Sequence, residues 1–345
     1  MKPTHKRQFI TALFICMLLP AVAQEFDTGC WLTRLDDGTH ITRLSIPGAH
    51  NAATGEGFSI NAGFGKTQNL DLSALWDCGI RFFDLRPAVD GNTLHIYHGP
   101  LKTRISFNEA LKVLCDKLEQ HPREFAIVLV SEEKESESRE EQRLWPQLVG
   151  EAIENIGEKA ALFLPAMKIG DIRGKILFMS RNHYTGSRKG AIISGWGHAP
   201  EGNGNALMTS LYNGYKYKLV QQDYYDTTNS RRLKAKCNAV ASLIDAAGRL
   251  DTDVWTINFL SAYSTTWLGI SPFATTAGYK RNAQALNGMT VGILKETPAD
   301  KRRPLGILVM DFAGTDKVKG GICHWSNFEV YGKTLVEAII EYNFH

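Results

Sequence analysis

The chain has 345 residues, 43% of them hydrophobic and 10% aromatic, with 39 Lys and Arg against 36 Asp and Glu. That is enough apolar material for one large α/β barrel or two ordinary domains. Three cations, Lys2, Lys6 and Arg7, belong to an amino-terminal leader, and 39 less 3 leaves 36 against 36; a formally neutral chain argues against nucleic acids and strongly anionic surfaces as partners.

The leader's apolar run over residues 9–22 ends in Ala21-Val22-Ala23, a small-x-small cleavage pattern before Gln24. It is too short for a spanning helix, so residues 1–23 are expected to be a signal peptide and the mature chain to be secreted, into the medium or the periplasm. Cys16 lies in the run without the small neighbours of a lipid anchor. Export leaves Cys30, Cys78, Cys115, Cys237 and Cys323, in no zinc spacing. An odd count leaves at least one thiol unpaired. Cys30–Cys323 and Cys30–Cys78 bridges both stay open, whereas Cys115 and Cys237 fall on apolar helix faces.

Beyond the leader, short apolar runs read as strands at residues 41–46, 80–85, 94–97, 125–130, 175–179, 218–220, 254–259 and 305–310. Ser106-Phe107-Asn108-Glu109 is a capping box, opening a helix with Phe107, Ala110, Leu111, Leu114 and Leu118 on one face. Residues 132–143 are a charge run, a solvated loop or helix start. Residues 194–215, rich in Gly and Asn, read as a surface loop between two strands. A helix over 231–247 groups Leu233, Cys237, Val240, Leu243 and Ile244 and stops at Gly248, and a closing helix covers 334–342. Continuous apolar strands alternating with helices predict an α/β fold with a mostly parallel sheet wound into a (β/α) barrel, without a second domain.

Nearly every strand-like run ends in a polar residue: His50, Asp84 with Arg86, His98, Glu132, Arg181, Asp223, Asn258 and Asp311. In such a barrel these ends converge on one mouth. His50 follows a Pro47-Gly48 break, and His98 precedes Gly99-Pro100. Strand alternation puts Asp84 and Arg86 on one face. Two imidazoles near neutral pKa and a guanidinium are the parts needed to cleave a phosphodiester without a metal. Taken singly, each also has a plain reading, as a rim histidine or a self-satisfied ion pair.

Seven segments, in order, resemble the X-domain of phosphatidylinositol-specific phospholipases C, in particular the secreted, metal-independent bacterial type. They are Ile46-Pro47-Gly48-Ala49-His50, Gly79-Ile80-Arg81-Phe82-Phe83-Asp84-Leu85-Arg86, His98-Gly99-Pro100-Leu101, Asp171-Ile172-Arg173-Gly174-Lys175, Gln222-Asp223-Tyr224-Tyr225, Ile257-Asn258-Phe259 and Val309-Met310-Asp311. The resemblance implies that residues 24–345 form a single catalytic domain, a distorted, incompletely closed TIM barrel. It implies His50 as general base, His98 as general acid and Arg86 as stabiliser of the phosphate oxygens. Asp311 would orient the base, and Asp84 would steady Arg86 or His98. Arg181, Asp223 and Tyr225 would hold the inositol ring. Diacylglycerol and inositol 1,2-cyclic phosphate are the implied products, from phosphatidylinositol and from glycosyl-phosphatidylinositol anchors.

Two positions depart from that pattern. Asn51, grouped with the substrate-binding residues, stands where the metal-independent enzymes have aspartate, and Glu132 and Glu133 stand where they often have lysine. Both lean toward a calcium-dependent branch. Arg86 leans the other way, because it stands where that branch needs a carboxylate and brings its own positive charge. No metal and no cofactor is therefore expected, and Ca²⁺ is disfavoured. The expected partner is a phosphatidylinositol-bearing membrane surface, met transiently by a monomer. Phe58, Ile60 and Phe64, with Trp267, Ile270 and Phe273, are rim candidates for that contact, with core packing as the other reading. The rival functions are a metal-assisted phosphodiesterase using Glu132 and a catalytically silent inositol- or lipid-binding barrel.

Overall fold

A computed structural model describes residues 27–60, 65–133, 139–197, 204–263, 276–320 and 327–344. The leader, Cys16, Cys323, Phe64, Trp267, Ile270 and Phe273 lie outside the described residues. The chain begins with a 3-10 segment, Thr28–Arg34, and β1 (Ser45–Ala49). Asp71 caps α1 (Leu72–Asp77) by accepting from Ala74 N at 2.8 Å. β2 (Phe82–Leu85), β3 (Pro87–Asp90), β4 (Thr93–His98) and β5 (Leu101–Ser106) follow closely. α2 (Phe107–Gln120) opens on the expected capping box and buries the expected five side chains. Then come β6 (Ala126–Val130), α3 (Arg139–Asn155), α4 (Ile169–Ile172), β7 (Ile176–Ser180), β8 (Ala191–Ser194), β9 (Gly204–Ser210) and β10 (Lys216–Gln222). α5 (Ser230–Ala247) is capped by Asn229 and ends at Gly248. β11 (Val254–Phe259), α6 (Thr276–Glu296), β12 (Gly306–Met310), the short β13 (Lys317–Val318) and β14 (Phe328–Glu329), and α7 (Gly332–Glu341) complete the chain.

Nine strands form one ring in the order β1-β12-β11-β10-β9-β8-β7-β6-β2. β9 runs antiparallel to β8 and β10, and every other pair is parallel. β1, β2, β6, β7, β11 and β12 are buried along their whole length, as strands with side chains inside and helices outside must be.

Three features differ from the sequence reading. The ring expected to stay open is closed at a narrow seam, Gly48 pairing with Phe82 and Ala49 with Phe83. A Cβ at Gly48 would lie 2.9 Å from the Phe82 ring, so glycine is what lets β1 approach β2. The expected loop over 194–215 contains β9, whose Ala206, Met208 and Ser210 point inward between more exposed neighbours. The run at 94–97 is no barrel strand; β3, β4 and β5 form a separate antiparallel sheet. Cys30, Cys78, Cys115 and Cys237 are free thiols, so the Cys30–Cys78 bridge is not formed.

The end of the barrel opposite the strand carboxyl termini is held by a buried ion pair. Arg81 Nη2 lies 2.8 Å from Glu124 Oε2, and both side chains are fully buried. Arg81 also donates to the carbonyls of Trp76, Ile80 and Gly29, and Glu124 accepts from Leu32 N, Thr33 N and the Thr33 hydroxyl. Each charge is thus fully hydrogen-bonded, the condition for tolerating it in an apolar interior. Asp171-Ile172-Arg173 belongs to the same end: Arg173 donates to Asp37 and to Leu32 and Leu35 carbonyls.

Candidate active site

The carboxyl ends of the strands frame a cavity of about 450 Å³ lined by His50, Asn51, Arg86, His98, Glu133, Arg181, Asp223, Tyr225, Tyr263 and Tyr279, among others. A second chamber of about 530 Å³ shares Arg86, Glu133 and Arg181 and adds Glu132, Asn182 and Trp196.

His50 and Asp311 meet because β1 and β12 pair in parallel register, Ala49 opposite Met310, so the residues that follow are neighbours. His50 Nδ1 donates to Asp311 Oδ1 at 2.7 Å. The remaining nitrogen, Nε2, then carries the lone pair and receives Asn51 Nδ2–H at 3.1 Å. Asn51 takes φ +44°, a left-handed conformation asparagine tolerates better than most residues. Its Oδ1 and Asp311 Oδ2 are buried without a hydrogen-bond partner among the described residues. Burial raises the Asp311 carboxyl, while the charges of His50, Lys236 and Arg86 pull it back.

His98 arrives from the side sheet. Its Nδ1 donates to Gly65 O at 2.6 Å, which turns Nε2 toward the cavity. The His98 ring lies 6.5 Å from that of His50, edge to face, and 5.8 Å from Tyr279. Burial pushes the His98 imidazole down to about 4, aided by Arg86 and His50 and opposed by Glu133.

Arg86 sits between two carboxylates. Its Nη2 is 3.0 Å from Asp84 Oδ2 and its Nη1 is 3.3 Å from Glu133 Oε2. Burial works against the guanidinium charge, but Asp84 and Glu133 outweigh it and hold the charge above its ordinary range. Burial likewise pushes the Asp84 carboxyl up, and Arg86, His50 and the Asn51 backbone N–H together keep it below the usual carboxylate range. Of the two roles left open for Asp84, the contact is with Arg86. His98 is served instead by the Gly65 carbonyl and by the charge of Glu133, whose Oε1 accepts from Gly99 N at 2.6 Å. Where carboxylates of Asp84 and Glu133 converge, the Arg86 guanidinium takes the position a cation would need. Among the described residues no group of three or more His, Cys, Asp or Glu is placed to hold a metal ion.

On the far wall, Arg181 Nη1 is 3.9 Å from Asp223 Oδ2, and Trp196 Nε1 donates to the same oxygen at 2.8 Å. The Arg181 guanidinium stacks 4.7 Å over the Trp196 ring. Tyr225 stacks on Tyr263 at 5.1 Å with only 12° between the planes. Together they make a rim of charged hydrogen-bonding groups beside flat aromatic faces, suited to a polyhydroxylated ring.

The described residues thus bring together all nine expected site residues. Asn258 and Glu132 do not join them: Asn258 Oδ1 accepts from Gln222 Nε2 below the cavity, and Glu132 lines the second chamber. Trp196, Tyr263, Tyr279 and the Gly65 carbonyl were not anticipated, and Glu133, noted as a departure, serves as a partner of Arg86. Tyr263, just beyond β11, was within reach of the strand-end rule. Tyr279 comes from a helix, and a backbone carbonyl leaves no sequence signal. Of the rim candidates within the described residues, Ile60 is exposed and Phe58 is buried.

No family model matches the chain. Among curated proteins it is 27% identical over 301 residues to the 1-phosphatidylinositol phosphodiesterase of Listeria monocytogenes, covering 84% of this chain and 82% of the relative. It is 26% identical over 297 residues to the protein of that name from Staphylococcus aureus strain Newman, covering 82% and 88%. Among solved structures, the phosphatidylinositol-specific phospholipase C of Listeria monocytogenes matches with a TM-score of 0.67 at 26% identity, over 93% of this chain and all of that one. That of Staphylococcus aureus, from work on its membrane binding, gives 0.73 at 24% identity over 92% and 98%. Along most of its length and in its barrel, the chain is thus similar to bacterial phosphatidylinositol-specific phospholipases C.

Proposed function

We propose that this chain is a phosphatidylinositol-specific phospholipase C that cleaves phosphatidylinositol to diacylglycerol and inositol 1,2-cyclic phosphate by acid–base catalysis without a metal. The observation that carries the reading is the pair of imidazoles at one cavity, 6.5 Å apart, with Arg86 beside them and Asp311 fixed on the far nitrogen of His50.

His50 Nε2 takes the proton of the inositol 2-hydroxyl as the 2-oxygen attacks phosphorus. The bond from phosphorus to the diacylglycerol oxygen breaks on the opposite side, and His98 Nε2 gives that oxygen a proton. Asp311 keeps Nδ1 of His50 protonated and stabilises the imidazolium that forms. Arg86, steadied by Asp84, meets the charge on the non-bridging oxygens as a preorganised donor. Arg181, Asp223 and Tyr225 hold the inositol ring. Asn51 gives up its bond to His50 Nε2 when the 2-hydroxyl enters. The second chamber leaves room for a substituent on the ring, as in a glycosyl-phosphatidylinositol anchor. The reaction takes place on a membrane surface after export, with contact transient: among the described residues no helix is long and apolar enough to cross a bilayer.

The test is turnover of phosphatidylinositol in mixed micelles with EDTA present. The parent chain is expected to cleave, and His50→Ala and His98→Ala are each expected to lose a factor of about 10²–10⁴ in kcat while melting as the parent does. A parent that cleaves only when Ca²⁺ is restored, or a histidine variant of undiminished rate, overturns the assignment.

A further inference from the structure

α5 carries a lysine on its buried face. Lys236 is 0% exposed, and among the described residues its ammonium has no carboxylate within ion-pair distance. It donates to Gln222 Oε1 at 3.1 Å and to Phe259 O at 2.5 Å, the last residues of β10 and β11. Gln222 is fixed on every side: its Oε1 also accepts from Tyr224 N at 2.8 Å, and its Nε2 donates to Asn258 Oδ1 and Phe259 O. The two strand ends bound by Lys236 carry the cavity. Asp223 and Tyr225 follow Gln222 directly, and the Phe259 ring packs edge-on against both His50 and Trp196.

An isolated ammonium in an apolar interior is costly, and a packing role would be filled better by Leu or Met. Its surroundings give the charge a use. The ionisable groups that act on it are Asp223 after β10, Asp311 after β12 and Cys237 on α5 itself; β11 contributes only neutral groups. In turn the lysine is one of the charges that pull the Asp311 carboxyl down against burial.

We propose that Lys236 is a positioning residue of the reaction, a cation sealed under the cavity floor that supplies the counter-charge for Asp311 and Asp223 and ties the ends of β10 and β11 together. Its mechanistic part rests on the phospholipase reading above. Lys236 acts through Asp311 on the general base and touches no reacting atom. Burial also brings its own ammonium down to about 7, so the counter-charge fades as the medium turns alkaline.

Lys236→Met tests this in the full chain. The substitution keeps an unbranched side chain one atom shorter and orphans neither acceptor, because Gln222 Oε1 retains Tyr224 N and Phe259 O retains Gln222 Nε2. Carboxyl carbon NMR of Asp311, without substrate, is expected to titrate higher in the variant by roughly half to one pH unit. The acid limb of kcat on phosphatidylinositol micelles is expected to move up with it, a loss of about three- to tenfold in kcat on that limb and little change on the plateau. Lys236→Gln, shorter and uncharged, must move both readings in the same direction. An Asp311 titration and a pH profile that match the parent, with only the melting temperature changed, reduce Lys236 to packing and overturn the proposal. A parent that leaves phosphatidylinositol intact overturns the functional reading instead, and the substrate-free titration still decides whether Lys236 charges Asp311.

Discussion

His98 is asked to deliver a proton from surroundings that oppose its holding one. Burial brings its imidazole from the ordinary 6.5 down to about 4, so the empty site holds it neutral at pH 7. A phosphodiester anion against Arg86 must restore the proton, and binding of inositol 1-phosphate is therefore expected to take up about one proton near pH 6. Calorimetry in buffers of different ionisation enthalpy reads that uptake directly. Stability carries the same signature. Between about 6.5 and about 4 the unfolded chain binds more protons than the folded one, so this group's contribution to stability falls as pH drops through that window. His98→Gln is expected to flatten that part of the pH–stability curve; an unchanged slope shows that the depression lies elsewhere. Asn51 separates backbone from side chain. Asn51→Gly keeps the left-handed backbone and removes the amide, so it should fold like the parent and shift only the kinetics. Asn51→Ala should in addition lose about 1 kcal/mol in denaturant unfolding. The sequence made these residues readable because each stands at the end of an apolar run. It could not show what neutralises them, since the Gly65 carbonyl and Glu133 reach His98 and Arg86 across distant parts of the chain.

The elements that were legible are those whose burial writes a period into the sequence. α2 and α5 have apolar stripes and side-chain N-caps, β6 and β12 are uninterrupted apolar runs, and β11 is broken only by Thr256 and Asn258. α6 was not anticipated because part of its inner face is polar. Asn282 Nδ2 donates to Ala262 O, and Asn287 Nδ2 donates to Asp311 O and Val330 O, so these side chains tie down backbone where a stripe would show leucines. β9 was hidden by alternation with exposed neighbours on a part of the ring whose outer face meets water. The run ending at His98 reads alike in a barrel strand and in a side sheet, since periodicity does not say which sheet a strand joins. Arg81, in the same motif as Arg86, has an entirely different task at the opposite end of the barrel. Glu124→Ala would leave it buried and unpaired. The expected loss is about 3–5 kcal/mol in urea unfolding, with kcat of the folded fraction unchanged. A loss in kcat without a loss in stability contradicts this division of labour.

At the scale of the whole molecule, the ring of strands gathers the site at one end. The parallel strands deliver His50, Arg86, Arg181, Asp223 and Asp311 to one end, and the side sheet adds His98, so the chemistry is assembled at a single mouth. Ile60, 63% exposed, is one of the large apolar side chains that face solvent among the described residues. In the proposed reaction the inositol 2-oxygen, released by His50, displaces diacylglycerol assisted by His98. Phosphorus NMR of phosphatidylinositol micelles mixed with the protein in EDTA tests it most directly. The five-membered cyclic phosphate is expected as the first new signal, converted only slowly to the monoester. A monoester that forms at the initial rate with no cyclic precursor contradicts it.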